Sequence, residues 1–201
     1  MSTDLPIRDA ATVILLREGT DGPRVLMGQR GRSAVFMPGK FVFPGGAVDV
    51  ADYETPLPGA LDPVTQRRLA AECAPGLVPA LANAALRELR EETGLVLPSV
   101  AELQFVFRAI TPPGRPRRFD ARFFLVNAAH LSCDADDFSG AEDELSHLQW
   151  VTLHGARGFD LPFVTRVVLA EIEAAFGRAL PLDHVPFYDH RGTVGQIRAL
   201  F

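Results

Sequence analysis

Lysine is almost missing from this 201-residue chain: of its 20 basic residues only Lys40 is a lysine, which leaves 19 arginines. Arginine presents a planar fork that suits phosphate, although such a bias also follows from genomic base composition, and most of these residues are read that way. Cysteine is scarce too. Cys73 and Cys133 are too few for a disulfide framework and lack metal-ligand spacing, so a reducing cytoplasm is the expected location. No run approaches the 18 apolar residues of a membrane span, and residues 1–10 mix Asp4, Arg8 and Asp9 with few apolar side chains, unlike a secretory leader. An excess of positive charge is also absent. The net charge of -5 argues against a general nucleic-acid binder. What remains is a hydrophobic fraction of 47% and a length suited to one domain, 1–201, with a real core.

Within that domain the most informative stretch is Arg87-Glu88-Leu89-Arg90-Glu91-Glu92-Thr93-Gly94-Leu95. Read as the end of a helix over 80–93, it places Glu88, Glu91 and Glu92 at i, i+3 and i+4, so three carboxylates leave one face within a turn. Such a face repels itself unless cations sit in it. Leu81, Ala85 and Leu89 form an apolar stripe behind it, Arg87 can pair with Glu91, and Gly94 stands where a left-handed C-cap is expected. Clustered glutamate oxygens without Cys or His suit a hard cation, Mg²⁺ or Mn²⁺, better than zinc.

Before this helix, 10–17 and 24–30 read as a β-hairpin, 33–40 as a loop, and Phe41-Val42-Phe43 as a short strand running into Pro44-Gly45-Gly46. A double glycine after a strand lets backbone approach a ligand where a Cβ would obstruct. Asp49 and Asp52 follow. Beyond the helix, 103–110 and 119–127 read as strands around the Pro-rich loop 111–118, and five arginines stand between Arg108 and Arg122 against one acid, Asp120. Residues 128–144 read as a mobile loop, 145–152 as a strand, and 161–179 as an amphipathic helix capped by Asp160. The tail 181–201 is apolar enough to dock on the body. The five histidines lack ligand spacing and read as surface or hydrogen-bonded residues.

The glutamate helix resembles the second half of the Nudix box of Nudix hydrolases at every fixed position, and Gly45-Gly46 resembles its start, with Asp52 where glutamate is standard. Arg87 stands 41 residues past Gly46 (87 minus 46), beyond the family spacing, so roughly 53–79 reads as an insertion inside the box. It contains an N-cap and N1-proline pattern at Asp62-Pro63 and is expected to form a small helical surface flap. Interrupted boxes are similar to the branch that includes the peroxisomal coenzyme A diphosphatase, and residues 36–52 and 84–95 look most like it.

The resemblance implies a Nudix α/β/α sandwich of α/β (α+β) class, with a mixed sheet between helices 80–93 and 161–179. It implies metal-dependent hydrolysis of a diphosphate joining a nucleoside to another moiety. Gly46, Glu88, Glu91 and Glu92 are the implied metal ligands, Arg87 braces the carboxylates, and the base comes from Glu88 or from Glu142 or Glu144 in the later loop. Arg30, Arg115, Arg117 and Arg118 are candidate substrate ligands, since arginines facing a metal centre would hold phosphate. Coenzyme A or an acyl-CoA is the leading substrate. Leu26, Arg30, Gly39 and 43–46 match a CoA-cleaving signature, whereas Gly28 and Val35 depart from it. ADP-ribose, NADH or a dinucleoside polyphosphate are alternatives, as is a non-catalytic ligand sensor of the same fold. The implied partner is a small-molecule nucleotide, with neither nucleic acid nor membrane, and a homodimer is admitted.

Overall fold

Strand β1 (Ile7–Arg17) organises the molecule, because its residues alternate between two cores. Ala11, Val13 and Leu15 belong to one buried cluster, and Ile14 between them belongs to the other. That alternation is what a central strand covered on both faces requires. The computed structural model describes residues 5–175, 183–192 and 194–201.

The sheet runs in the order β3-β2-β1-β6-β5-β8-β9, with β4 paired to β1 and β7 to β2. Its strands are β2 (Arg24–Arg30), β3 (Phe41–Val42), β4 (Gly45–Ala47), β5 (Gln104–Ile110), β6 (Arg118–Asn127), β7 (Leu145–Thr152), β8 (Val185–Asp189) and β9 (Gln196–Leu200). Pairing is mixed: β1 is parallel to β6 and β5 to β8, while β1–β2, β1–β4, β2–β7 and β5–β6 are antiparallel. One face carries α1 (Val50–Glu54), α2 (Pro63–Ala70) and α3 (Leu77–Thr93), and the other carries α4 (Leu153–Ala156) and α5 (Phe163–Ala175). This is the expected sandwich of a mixed sheet between helices.

Leu81, Ala85 and Leu89 of α3 are wholly buried, and Gly94 ends the helix at φ 75° with its N–H donating to the Arg90 carbonyl, as the pattern requires. Two boundaries differ from expectation. Helix α3 begins at Leu77 because Gly76, at φ 79°, turns the chain into it three residues early. Helix α5 begins at Phe163, and Asp160 does not cap it: its carboxylate accepts from Lys40 Nζ at 2.5 Å and its carbonyl from Phe41 N. The expected helical residues 176–179 lie outside the described ones.

The tail forms the β8–β9 hairpin, which buries Val185, Phe187 and Leu200 and widens the sheet. That widening changes the role of 53–79. Asp62 caps α2 by accepting from the amides of Val64 and Thr65, with Pro63 at the first helical position. Leu61, Leu69 and Leu77 share a cluster with Val185 and Phe187, so the segment is pinned to the core through these leucines while most of its other residues stay exposed. Residues 128–144 are likewise anchored rather than mobile. Trp150 Nε1 donates to the Ala135 carbonyl, Arg17 grips Asp136, and Glu142 N donates to the Glu91 carbonyl at 2.7 Å.

Candidate active site

The double glycine makes room for two glutamates. Strand β4 pairs with β1 through Ala11↔Gly46 and Thr12↔Gly45, which sets the turn against the C-terminal half of α3. A Cβ on Gly46 would lie 2.2 Å from Glu88 Oε1, and one on Gly45 would lie 2.4 Å from the Ala11 carbonyl oxygen. No other residue type fits either place without displacing its neighbour. Gly45 N donates to Glu92 Oε2 at 2.7 Å, so backbone and carboxylate meet directly.

Both glutamates are buried, at 8% exposure for Glu88 and 2% for Glu92. Burial pushes the Glu92 carboxyl up to about 8, against the opposing hydrogen bond from Gly45, and it raises Glu88 as well. Glu92 Oε1 is buried with no hydrogen-bond partner. A bare oxygen in such a place costs free energy unless something satisfies it.

Arg87 braces the acids as expected. Its Nη1 donates to Glu88 Oε1 and Glu91 Oε2, each at 2.9 Å, and its Nε and Nη2 grip both oxygens of Asp52 at 3.1 and 3.0 Å. A further bond from Nη2 reaches the Ala47 carbonyl. The Asp52 bond is foremost in holding the guanidinium above its ordinary pKa. Asp52, 3% exposed, also accepts from Asp49 N at the start of α1. Asn83 completes the frame by donating to the carbonyls of Asp52 and Thr55, a role the sequence reading missed. The signal was a lone amide in the run Leu81-Ala82-Asn83-Ala84-Ala85.

Arg30 and Glu144 approach the acids from the sheet. Arg30 Nη2 donates to Glu144 Oε1 at 2.8 Å and Nε to the Phe36 carbonyl at 3.1 Å. Glu144 is close enough that its charge helps raise both Glu88 and Glu92. Glu142 is exposed, and only its backbone is tied to α3. Of the two later-loop acids, Glu144 is the one beside the centre.

The positive patch dissolves in three dimensions. Arg108 pairs bidentately with Asp120 and lies over the Phe187 ring, while Arg122 pairs with Asp120 and with the partly exposed Asp9, so both arginines are taken up inside the protein. Arg118 is 3% exposed and donates to the carbonyls of Thr111 and His190, which corrects its assignment as a substrate ligand. Only Arg115 and Arg117 are exposed. The registers Ile7↔Arg118 and Ala11↔Gly46 put the root of their loop roughly 16 Å from the glycine turn, at ordinary strand rise and spacing. The loop is therefore rooted away from the glycine turn. His190 is another departure: it is buried, and neither ring nitrogen has a hydrogen-bond partner.

Among the described residues no three acidic, His or Cys side chains already converge on one point. Glu88 and Glu91 each turn an oxygen towards Arg87 instead. The donor set nevertheless fits a hard divalent cation: two buried carboxylates pushed towards neutrality, one unpartnered oxygen, and the Gly46 backbone beside them. Glu88 and Glu92 could hold such an ion with the Gly46 carbonyl, and Glu91 could join by rotating away from Arg87.

Comparison with known proteins agrees with this architecture. A family model described as NUDIX domain matches residues 78–171, which include the glutamate helix and the later loop. A NUDIX hydrolase from Alicyclobacillus acidocaldarius superposes with a TM-score of 0.67 at 26% identity, covering 83% of this chain and 90% of that one. The NUDIX domain of Shewanella oneidensis NrtR, complexed with ADP ribose, is similar at TM-score 0.53 and 14% identity over 85% of this chain and 89% of that one. A C. elegans Ap4A hydrolase is similar at TM-score 0.51 and 16% identity, over 85% and 98%. The fold is the Nudix fold. No helix among the described residues is long and apolar enough to cross a membrane.

Proposed function

We propose that this protein hydrolyses a diphosphate joining a nucleoside to another moiety, using Mg²⁺ or Mn²⁺ held by Glu88, Glu91, Glu92 and the Gly46 carbonyl, and that its substrate is coenzyme A or an acyl-CoA. The observation that carries the metal reading is Glu92 Oε1, an unpartnered oxygen on a buried carboxylate beside the double-glycine turn. A divalent cation there would polarise the diphosphate and lower the pKa of a bound water. The protein's own groups do the rest. Arg87 keeps Glu88 and Glu91 in register from its anchor on Asp52, and the glycine turn keeps both buried carboxylates close to backbone. Glu144 is best placed to accept the proton of the attacking water, since its charge bears on both Glu88 and Glu92 and it is itself exposed.

The coenzyme A assignment rests on the resemblance of 36–52 and 84–95 to the interrupted-box branch. The departure at Gly28 has a local cause: a Cβ there would lie 3.0 Å from the side chains of Leu145 and Leu148, where β7 bulges against β2. The branch threonine would therefore need these leucines to shift, whatever the substrate. Arg115 and Arg117, on a loop rooted away from the glycine turn, suit a remote phosphate better than the scissile diphosphate. A second reading, an ADP-ribose-type substrate, gains from the interior position of Arg118, which removes one of three arginines offered to a 3′-phosphate. Incubation with Mg²⁺ and equal concentrations of coenzyme A, ADP-ribose, NADH and diadenosine tetraphosphate, with products identified by mass, tests the assignment. Preferred release of 4′-phosphopantetheine is expected, and preferred cleavage of ADP-ribose would replace it with the second reading.

A further inference from the structure

The end of β2 and the start of β7 are in register at Arg30↔Leu145, so Glu144 leaves the sheet beside the Arg30 side chain. On β2, Leu26 faces the α3 side and Met27 the other, and by alternation Arg30 faces the α3 side with the glutamates. Between these strands β7 carries a bulge at His147, which adopts φ 53°, and Gly28 leaves space for the leucines on either side of it. Bulges re-aim the side chains that follow or precede them. Here the consequence is a 2.8 Å ion pair between a partly buried guanidinium and a carboxylate that would otherwise be free in solvent. The same guanidinium donates its Nε to the Phe36 carbonyl, in the loop whose Phe36 ring packs edge-on against Phe119.

We propose that Arg30 is a positioning residue, held by the Phe36 carbonyl, that keeps the Glu144 carboxylate over the open side of the Glu88–Glu92 pair. This rests on the metal-centre reading and deepens it. Neither the β2 strand nor the later loop alone places Glu144; the pair does, because a half-exposed glutamate on a loop has several rotamers and the Arg30 contact selects among them. The unpartnered, buried Glu92 Oε1 marks where a cation would feel that extra negative charge. Arg30 would then contribute through Glu144 rather than by gripping the substrate.

A double-mutant cycle with Mn²⁺ alone as the probe separates these roles. Affinity is measured by calorimetry for the full-length protein, Glu144→Gln, Arg30→Met and the double variant, with turnover measured in parallel. Arg30→Met keeps the apolar stem and removes the fork. Glu144→Gln is expected to weaken Mn²⁺ binding roughly tenfold in the natural background, the scale of an outer-shell partner, and hardly at all once Arg30 is Met. The same pattern is expected in kcat. An equal effect of Glu144→Gln in both backgrounds, including no effect in either, would overturn the positioning role. So would an Arg30→Met change confined to KM, which would make Arg30 a substrate ligand. Failure of the unmodified protein to bind Mn²⁺ would overturn the metal centre itself, a result distinct from equal effects in the two backgrounds.

Discussion

Glu92 carries opposite demands, since its burial favours the neutral acid whereas a cation needs the carboxylate. Its pKa is pushed up to about 8 from 4.5, so the metal-free fold prefers it protonated. That preference is fully present below about 4.5 and is lost as pH rises through about 8. In EDTA the melting temperature should therefore fall between pH 5 and pH 8, on the order of 5 °C, and Mg²⁺ should restore it most at the alkaline end. A pH-independent difference between EDTA and Mg²⁺ would mean that these carboxylates do not bind the ion. Glu92→Gln should remove the slope and cost at least ~10²-fold in turnover while leaving the fold intact, as circular dichroism and steady-state rates would check. Gly46→Ala should be as damaging to activity, because the new Cβ occupies the space of the Glu88 carboxylate. The placement of Glu88, Glu91 and Glu92 beside Arg87 was legible because spacing on a helix fixes which side chains share a face. Arg118 was not: sequence shows a loop of arginines, and only the pairing of β6 with β1 reveals which one turns inward.

At the scale of elements, the segment 53–79 and the loop 111–117 were each legible only in part. The Asp62-Pro63 start of α2 was visible, because capping chemistry is local. Its burial was not visible, because the surface it covers exists only after β8 and β9 join the sheet from the far end of the chain. Deletion of 53–79 should give an unstable or insoluble protein. Leu69→Ala alone should lower stability by about 2–4 kcal/mol in a denaturant titration, the usual cost of a large-to-small change at a wholly buried leucine. A loss below roughly 0.5 kcal/mol would return the segment to the surface. For the other loop, neutralising Arg115 and Arg117 should raise KM more than it lowers kcat, since uniform binding is lost while the carboxylate centre is untouched. The rise should be larger for coenzyme A than for its analogue lacking the 3′-phosphate. Equal rises would show that the loop does not read that group.

Across the whole molecule, one sheet serves two purposes on one face. Towards β4, β2 and β7 it presents the glycine turn, Arg30 and Glu144 to the end of α3, and towards β5 and β8 it carries a network of the buried Arg108, Asp120 and Arg122 with the partly exposed Asp9 beneath the α2 side. Arginines of similar appearance in sequence thus divide between chemistry and architecture according to strand position, which explains why a chain with 19 of them has so few facing solvent at the site. The central claim is that the α3 carboxylates and a divalent cation together hydrolyse a diphosphate. It is tested most directly by turnover of the nucleotide panel in ¹⁸O-water with Mg²⁺, with and without EDTA, for the natural protein and Glu92→Gln. The predicted result is cleavage of at least one diphosphate with a single ¹⁸O in one phosphate-bearing product, abolished by EDTA and by the substitution. Cleavage that persists in either, or no cleavage of any member, would contradict it.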